Sequence, residues 1–189
     1  IELEDLRMRA LNQLGNILRV SGEFGPAHQA FNESHALTLK LGFKQGEAIV
    51  LNNLGICAMN LGKYDESREF YERSIEICRE GGFTVDLARA LDNYAGLLSL
   101  TGQRDRAREL QREALPIFRQ IDDRRSIAIS LYSLADIARR DKRVDEAAEY
   151  YHECLKIGRE LAFKSGIASA LEGIAMLAFD RDRPEVAAK

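Results

Sequence analysis

The residues that could bind a metal ion or attack a substrate are few and widely spaced. The sequence contains three cysteines and three histidines, which are Cys57, Cys78, Cys154, His28, His35 and His152. Their spacing matches neither a CxxC pair nor a Cys/His zinc site. The sequence also lacks a phosphate-binding glycine loop, an HExxH metal motif and a GxSxG nucleophile turn. We therefore expect reduced, partly buried cysteines, no cofactor or metal, and no catalytic activity.

Arginines form a second group that could do chemistry, because guanidinium groups bind phosphate. The densest cluster is RRDKR at 139–143, and further arginines lie between 104 and 125. Acidic residues are interleaved with them, and the net charge of the chain is −3. Arginines beside acids along helices are typical of solvated ion pairs, and no aromatic series accompanies them for stacking on bases. The pattern predicts against a nucleic-acid partner.

Side-chain amides recur at a fixed interval. Asn93 follows Asn53 at the same distance along the sequence as Asn53 follows Gln13. A side-chain amide is both donor and acceptor, so it can bond to the backbone of an extended peptide whatever the sequence of that peptide. A surface that is merely polar would show the same residues, so both interpretations stay open at this point.

The same 40-residue interval runs through the whole chain. The pentapeptides LNQLG, LNNLG, LDNYA, LYSLA and LEGIA begin at Leu11, Leu51, Leu91, Leu131 and Leu171. In each of them the large first and fourth residues and the small fifth residue lie on one stripe of a helix, here named helix A. Regular self-similarity is typical of arrays in which helical hairpins bury their apolar faces by stacking.

A second helix, helix B, is predicted after helix A in each repeat. The turn between them contains Gly22, Gly62 or Gly102, with Lys142 and Asp182 in the later copies. Pro26 would occupy the first position of helix B, and the next three repeats carry candidate N-caps, Asp65, Asp105 and Asp145. A small residue then precedes a large one by four, as in Ala27 and Phe31. Helix B is predicted to end near residues 42, 82, 122 and 162.

The repeats also act as controls for one another at the small position of helix A. Gly15 and Gly55 correspond to alanines at 95, 135 and 175. This comparison indicates that the position needs a small side chain rather than the conformational freedom of glycine. It predicts that Gly15→Ala is neutral, or stabilises the fold by up to about 1 kcal/mol.

These residues resemble the tetratricopeptide repeat (TPR) family. Leu11-x2-Leu14-Gly15-x2-Leu18, followed by Ala27-x3-Phe31 and Ser34, is similar to the pattern of that family. Two features differ: leucine replaces the usual tryptophan, and the period is longer than the family's usual one. HEAT-type arrays share the longer period, but the constant spacing from Gly15 to Ala27 favours the TPR pattern. The resemblance implies an all-α, right-handed α-solenoid of four complete hairpins plus the start of a fifth, with repeats at about 7–46, 47–86, 87–126, 127–166 and 167–189.

The resemblance also implies where a partner would bind. In TPR arrays helix A lines the concave groove, and long-period arrays such as those of partner-of-inscuteable and kinesin light chain are similar in carrying asparagines there. The groove residues expected on this basis are Arg9, Asn12, Gln13, Asn16, Asn52, Asn53, Asn60, Arg89, Asp92, Asn93, Tyr132, Ser133, Asp136, Arg139 and Arg140. We therefore predict a non-catalytic, cytoplasmic module that binds a peptide or a protein segment.

Two other functions fit the sequence. Segments such as ALPIFRQIDDRRSIAISLYSLADIA resemble TPR regions of large bacterial signalling proteins and transcription regulators, which would imply a sensory or autoinhibitory array with a bound effector. A structural spacer that self-associates through its ends is the other option, because neither end shows a polar capping repeat. An apolar end around Ala170, Leu171 and Ile174 is expected, leading either to end-to-end association or to further sequence in a longer protein. No segment is long and apolar enough to suggest a membrane span.

Overall fold

The computed structural model describes residues 2–182, and this part of the chain is helical throughout, with short connections. Its helices are α1 (Glu2–Val20), α2 (Phe24–Leu41), α3 (Lys44–Asn60), α4 (Tyr64–Gly81), α5 (Thr84–Leu100), α6 (Arg104–Gln120), α7 (Arg124–Arg140), α8 (Val144–Glu160) and α9 (Lys164–Asp182). The odd-numbered helices are the predicted A helices, and the even-numbered ones are the B helices. An all-α array of helical hairpins is therefore confirmed. None of the described helices could cross a membrane.

The chain divides into two compact units, Ile1–Thr101 with α1 to α5 and Gly102–Lys189 with α6 to α9. In unit 1, α1 packs on α2 and α3 on α4, and each B helix also packs on the next A helix. The core between α2, α3 and α4 contains Phe31, Leu54 and Ile77. In unit 2, α7 packs on α8 and α8 on α9, around Ala135, Tyr151 and Leu177. The predicted single array over 1–189 and its repeat boundaries stay predictions.

The connections between helices recur at a constant spacing and share one backbone conformation. Gly22, Gly42, Gly62, Gly82 and Gly102 have positive φ, and so do Asp122, Lys142 and Ala162. At each site backbone bonds close the turn; for example, the N–H groups of Gly62 and Lys63 donate to the carbonyls of Met59 and Ala58. This left-handed residue is a common way to end a helix. The predicted turns at Gly22, Gly62, Gly102 and Lys142 and the predicted B-helix ends are confirmed. The turn predicted at Asp182 was wrong, because α9 continues to that residue.

The predicted helix starts were wrong in detail. Helix α4 begins at Tyr64 after Lys63, and no side chain caps it; α6 and α8 begin in the same way. Asp65, Asp105 and Asp145 lie inside the first turn, where their charge favours the helix dipole without forming a cap. Pro26 is the third residue of α2 rather than the first. The capping side chain that the structure does show is Asp123, whose carboxylate accepts from the Ser126 N–H at 3.1 Å.

The repeated leucines and small residues hold each hairpin together. Leu51, Leu91 and Leu131 are buried, whereas Leu171 on the last described helix is 47% exposed. At the small position of helix B, the Ser74 hydroxyl donates to the Ala48 carbonyl at 2.8 Å. The equivalent hydroxyl of Ser34 donates to the carbonyl of Met8. The repeated leucine is thus buried on α3, α5 and α7 and half-exposed on α9.

The prediction for Gly15 was wrong. A Cβ atom at Gly15 would lie 2.7 Å from the Phe31 ring, and one at Gly55 would lie 2.6 Å from the Tyr71 ring. Both rings are fully buried, so neither can move aside without disturbing the core. The repeats are therefore poor controls for one another here: the rings of Phe31 and Tyr71 occupy the space that a Cβ atom would need, whereas Ala135 packs in one core cluster with Tyr151.

Candidate functional site

Asparagine side chains connect three successive A helices in unit 1. The amide nitrogen of Asn53 on α3 lies 3.5 Å from the Oδ1 atom of Asn12 on α1, as donor. The amide nitrogen of Asn93 on α5 donates to Oδ1 of Asn52 on α3 at 3.0 Å. We call these four side chains the amide ladder. Each bond joins the same pair of positions on neighbouring A helices, so the ladder sets the register between those helices.

A polar depression of about 200 Å³ lies beside the amide ladder. It is lined by Asn16, Ala48, Ile49, Asn52, Asn53, Asp86 and Arg89. The Asp86 carboxylate lies 3.7 Å from the Arg89 guanidinium and accepts a bond of 2.8 Å from the Gln45 amide. Because 55% of the Arg89 side chain is exposed, the guanidinium is held near the depression and still reachable from solvent. The depression therefore combines amide groups with one accessible positive charge.

A smaller recess of about 80 Å³ shares Ile49 with the polar depression. Its apolar walls come from Met8, Phe43, Ile49 and Val50, and its other lining residues are Arg9, Asn12, Ser34, Thr38 and Gly46. Unit 1 thus places an apolar recess next to a polar depression. An extended chain segment could present an apolar side chain to the first and polar groups to the second.

Three of the predicted groove residues of unit 2, Asp136, Arg139 and Arg140, form ion pairs with one another. Arg139 contacts Asp136 at 3.0 Å and Asp180 at 2.8 Å, and Arg140 contacts Asp136 at 2.7 Å. The pKa of Arg139 is raised because its bonds to both aspartates outweigh the effect of burial. The Ser133 hydroxyl donates to the Ile129 carbonyl of its own helix. The Tyr132 ring packs against the Tyr151 ring, with 6.0 Å between the ring centroids. The charged groups and the Ser133 hydroxyl are therefore already engaged in bonds within the protein.

Four predicted residues of unit 1 line neither recess, namely Gln13, Asn60, Asp92 and Asn93. Asn60 is exposed and donates to the Ile56 carbonyl within α3, and Gln13 is exposed on α1. The sequence also missed residues that line the depression, namely Ala48, Ile49, Asp86 and, as a partner of Asp86, Gln45. Gln45 and Asp86 have the same sequence separation as the bonded pairs of the amide ladder, and a search for polar pairs at that separation could have found them.

The arginines on the B helices of unit 2 contact acids on or next to the following B helix. Asp141, just before α8, accepts from Arg104 at 3.3 Å, from Arg108 at 3.4 Å and from Arg143 at 3.0 Å. Further along, Arg119 contacts Glu153 at 2.9 Å. The predicted ion pairs are confirmed at these positions. Exposed pairs of this kind contribute about 0–1 kcal/mol each.

Burial favours the protonated form of the three thiols and of the Tyr151 phenol. Cys57, Cys78 and Cys154 are free and buried, and burial raises the pKa of each thiol to about 11. Such thiols are protonated at neutral pH and are poor nucleophiles. Burial also raises the pKa of Tyr151, to about 12. Within residues 2–182 no group of histidine, cysteine or carboxylate side chains could hold a metal ion.

Comparison with known proteins identifies the repeat. Family models described as tetratricopeptide repeat match residues 46–120 and 130–164, which is more than half of the chain. The chain belongs to the tetratricopeptide repeat family. Among the curated proteins, none matches this TPR array by sequence.

Solved structures resemble the TPR array closely in backbone and weakly in sequence. BtubC (BKLC) from P. vanneervenii has a TM-score of 0.75 at 19% identity, over 94% of this chain and 75% of that one. A putative kinesin light chain of Podosopora anserina with nearly identical TPR-like repeats has 0.71 at 18%, over 96% and 92%. The apo form of RapI has 0.80 at 14%, over 89% and 62%. At sequence identities this low, the structural similarity shows the fold alone.

Proposed function

We propose that this TPR array is a non-catalytic protein-interaction module whose unit 1 holds an extended peptide or a segment of a partner protein. The observation that supports this most is the amide ladder at the edge of a polar depression, with an apolar recess beside it. Amides, one cation and an apolar recess are groups that can bind a chain segment.

The amide ladder has bonding capacity beyond its own contacts. A primary amide has two N–H donors and a carbonyl acceptor. The bond between Asn93 and Asn52 uses one N–H and one oxygen. The N–H groups of Asn52 and the oxygen of Asn93 can therefore bond to the carbonyl and N–H of a peptide backbone. The bond between them also orients both side chains before a ligand arrives, which reduces the entropy lost on binding.

Side chains of the ligand would bind on either side of the amides. The accessible guanidinium of Arg89 can bind a carboxylate, and the recess between Met8, Ile49 and Val50 suits an apolar side chain. We therefore propose a segment that carries an apolar and an acidic residue. The predicted residues of unit 2 contribute less on this account, because Asp136, Arg139 and Arg140 already neutralise one another.

A binding experiment tests this function. Peptides would be selected from a randomised display library on the immobilised array, and the affinity of the selected peptide would be measured by fluorescence anisotropy. Asn52→Ala with Arg89→Ala removes one amide and the cation from the depression. We expect the affinity to fall about tenfold or more, because each lost hydrogen bond contributes about 1 kcal/mol and a charged one more.

The matched control is Asn32→Ala with Arg68→Ala. Asn32 is an exposed asparagine of α2 that bonds to His28 of its own helix, and Arg68 lies on α4. This variant should bind the selected peptide as the parent does. Equal affinity for the depression variant, with its melting temperature unchanged, would contradict the proposal.

The alternative is an effector-binding array within a larger bacterial regulator. The depression favours it because several polar groups converge on about 200 Å³, as in small-molecule sites. Native mass spectrometry of the purified array tests this alternative. A retained small molecule that is lost from the Asn52→Ala, Arg89→Ala variant would support it, and a bare protein mass would count against it.

A further inference from the structure

Gly96 lies in the interior of α5, and the fold does not require a glycine there. The residue is exposed, and an added Cβ atom would meet nothing within 4 Å. Its φ is not positive, so the backbone conformation suits any residue with a side chain. Glycine in a helix interior disfavours the helix relative to alanine. Neither packing nor backbone conformation therefore accounts for the missing side chain.

Other helical glycines of the chain are explained by their packing. The Cβ positions of Gly15 and Gly55 lie 2.7 Å and 2.6 Å from the rings of Phe31 and Tyr71. Within residues 2–182, every other glycine beyond the first turn of a helix also has a neighbouring atom within 4 Å of its Cβ position. Atoms of the protein thus take up the space at those glycines, whereas the space at Gly96 is open.

Gly96 lies on the same stripe of α5 as two groups of the proposed site. Arg89 and Asn93 precede it by seven and three positions, a spacing that places all three on one side of the helix. Arg89 lines the polar depression, and Asn93 belongs to the amide ladder. Beyond Gly96 the stripe continues to Leu100, which is 61% exposed. This stretch of α5 is therefore uncovered, with a gap where residue 96 has no side chain.

The neighbouring A helices show which way residue 96 faces. Ile56 occupies the position of Gly96 on α3, and Asn16 occupies it on α1. The Asn16 side chain lines the polar depression, so this position faces the ladder side of an A helix. A side chain at residue 96 would stand on that same side of α5.

We propose that the main chain of the bound segment passes over Gly96, and that the missing side chain lets it lie against α5. This inference rests on the function proposed above, in which Asn52 and Asn93 bond to the ligand backbone. Gly96 lies about 4.5 Å further along the helix axis than Asn93. A main chain held at Asn93 can therefore stay in contact with the helix backbone at Gly96, where a Cβ atom would hold it away. Glycine is the residue that permits such a close approach.

Substitution of Gly96 should raise stability and lower affinity together. Gly96→Ala should melt no lower than the parent, because alanine favours the helix. By fluorescence anisotropy it should bind the peptide selected on the parent array about tenfold more weakly, since the added methyl group overlaps the ligand. Gly96→Leu should bind more weakly still. Unfolding cannot explain an affinity lost by a variant that is at least as stable as the parent.

Gly25→Ala is the matched control. Gly25 is an exposed glycine of α2, and its Cβ position also has nothing within 4 Å, so this variant should bind the peptide as the parent does. If Gly96→Ala keeps its affinity while Asn52→Ala with Arg89→Ala loses the peptide, this inference is overturned and the proposed function stands. If both variants bind as the parent does, both are overturned.

An alanine scan of the selected peptide against the Gly96→Ala array separates the main chain of the ligand from its side chains. If the main chain passes over residue 96, truncating any one side chain of the peptide should leave the lost affinity unrestored. Recovery of the parent affinity on truncation of one peptide residue would assign the gap to that side chain and overturn the proposal.

Discussion

At the scale of single residues, the small positions of the A helices are matched to particular rings. Gly15→Ala should destabilise the fold by about 1–3 kcal/mol, because its methyl group would overlap the buried Phe31 ring. The loss outweighs the gain of up to about 1 kcal/mol in helix propensity. Urea unfolding measures it. The control is Gly96→Ala on α5, where nothing lies within 4 Å and a stabilisation of up to about 1 kcal/mol is expected. A Gly15 variant as stable as the parent would contradict the packing described.

The half-buried His35 of α2 should make stability depend on pH. Burial lowers the pKa of His35, and the weaker attraction of Glu47 opposes this. The folded protein therefore binds the proton less readily than the unfolded chain, so this contribution to stability is present at neutral pH and is lost as the pH falls. His35→Gln should flatten the dependence of the urea midpoint on pH between about 7 and 5. Gln29→Asn, at an exposed residue of the same helix that does not titrate, is the control and should leave the slope unchanged.

At the scale of helices, the residues that end them with a positive φ differ in the conformational free energy that this backbone conformation requires. Ala162 has a φ of 51°, a conformation that costs a residue with a Cβ about 1–2 kcal/mol. Ala162→Gly should therefore stabilise the fold by about 1 kcal/mol after the entropy cost of glycine. Gly42→Ala, at a φ of 65° with open space around it, should lose a similar amount. Thermal unfolding of the two variants compares them, and shifts of the same sign would contradict this account of the turns.

Much of the helical architecture could be predicted from the sequence, and the reasons for the exceptions are physical. The constant interval between Leu51, Leu91 and Leu131 predicts the hairpins, because burial repeats with the helices. The start of α4 was misplaced because backbone bonds and Gly62 make the turn, and Asp65 is not needed as a cap. The groove was predicted only as a set of polar positions. Which amides bond to each other depends on the contact between neighbouring helices, and local sequence does not encode it.

At the scale of the whole molecule, each repeat contacts only its neighbours. Replacing the equivalent leucine by alanine in different repeats should therefore lower the free energy of unfolding by different amounts. Leu91→Ala should cost about 2–5 kcal/mol, because Leu91 is fully buried. Leu171→Ala should cost less than about 1 kcal/mol, since nearly half of that side chain is exposed. Urea unfolding gives both values. Equal losses would mean that the last described helix is covered in solution.

The central claim is that unit 1, through its amides, holds an extended segment of a partner. Hydrogen exchange of the array, with and without a peptide selected on it, tests this most directly. The account predicts that the peptide slows exchange in α1, α3 and α5, around Asn12, Asn52 and Asn93, and leaves α6 to α9 unchanged. Protection confined to α6–α9, or slower exchange in none of the helices, would contradict it.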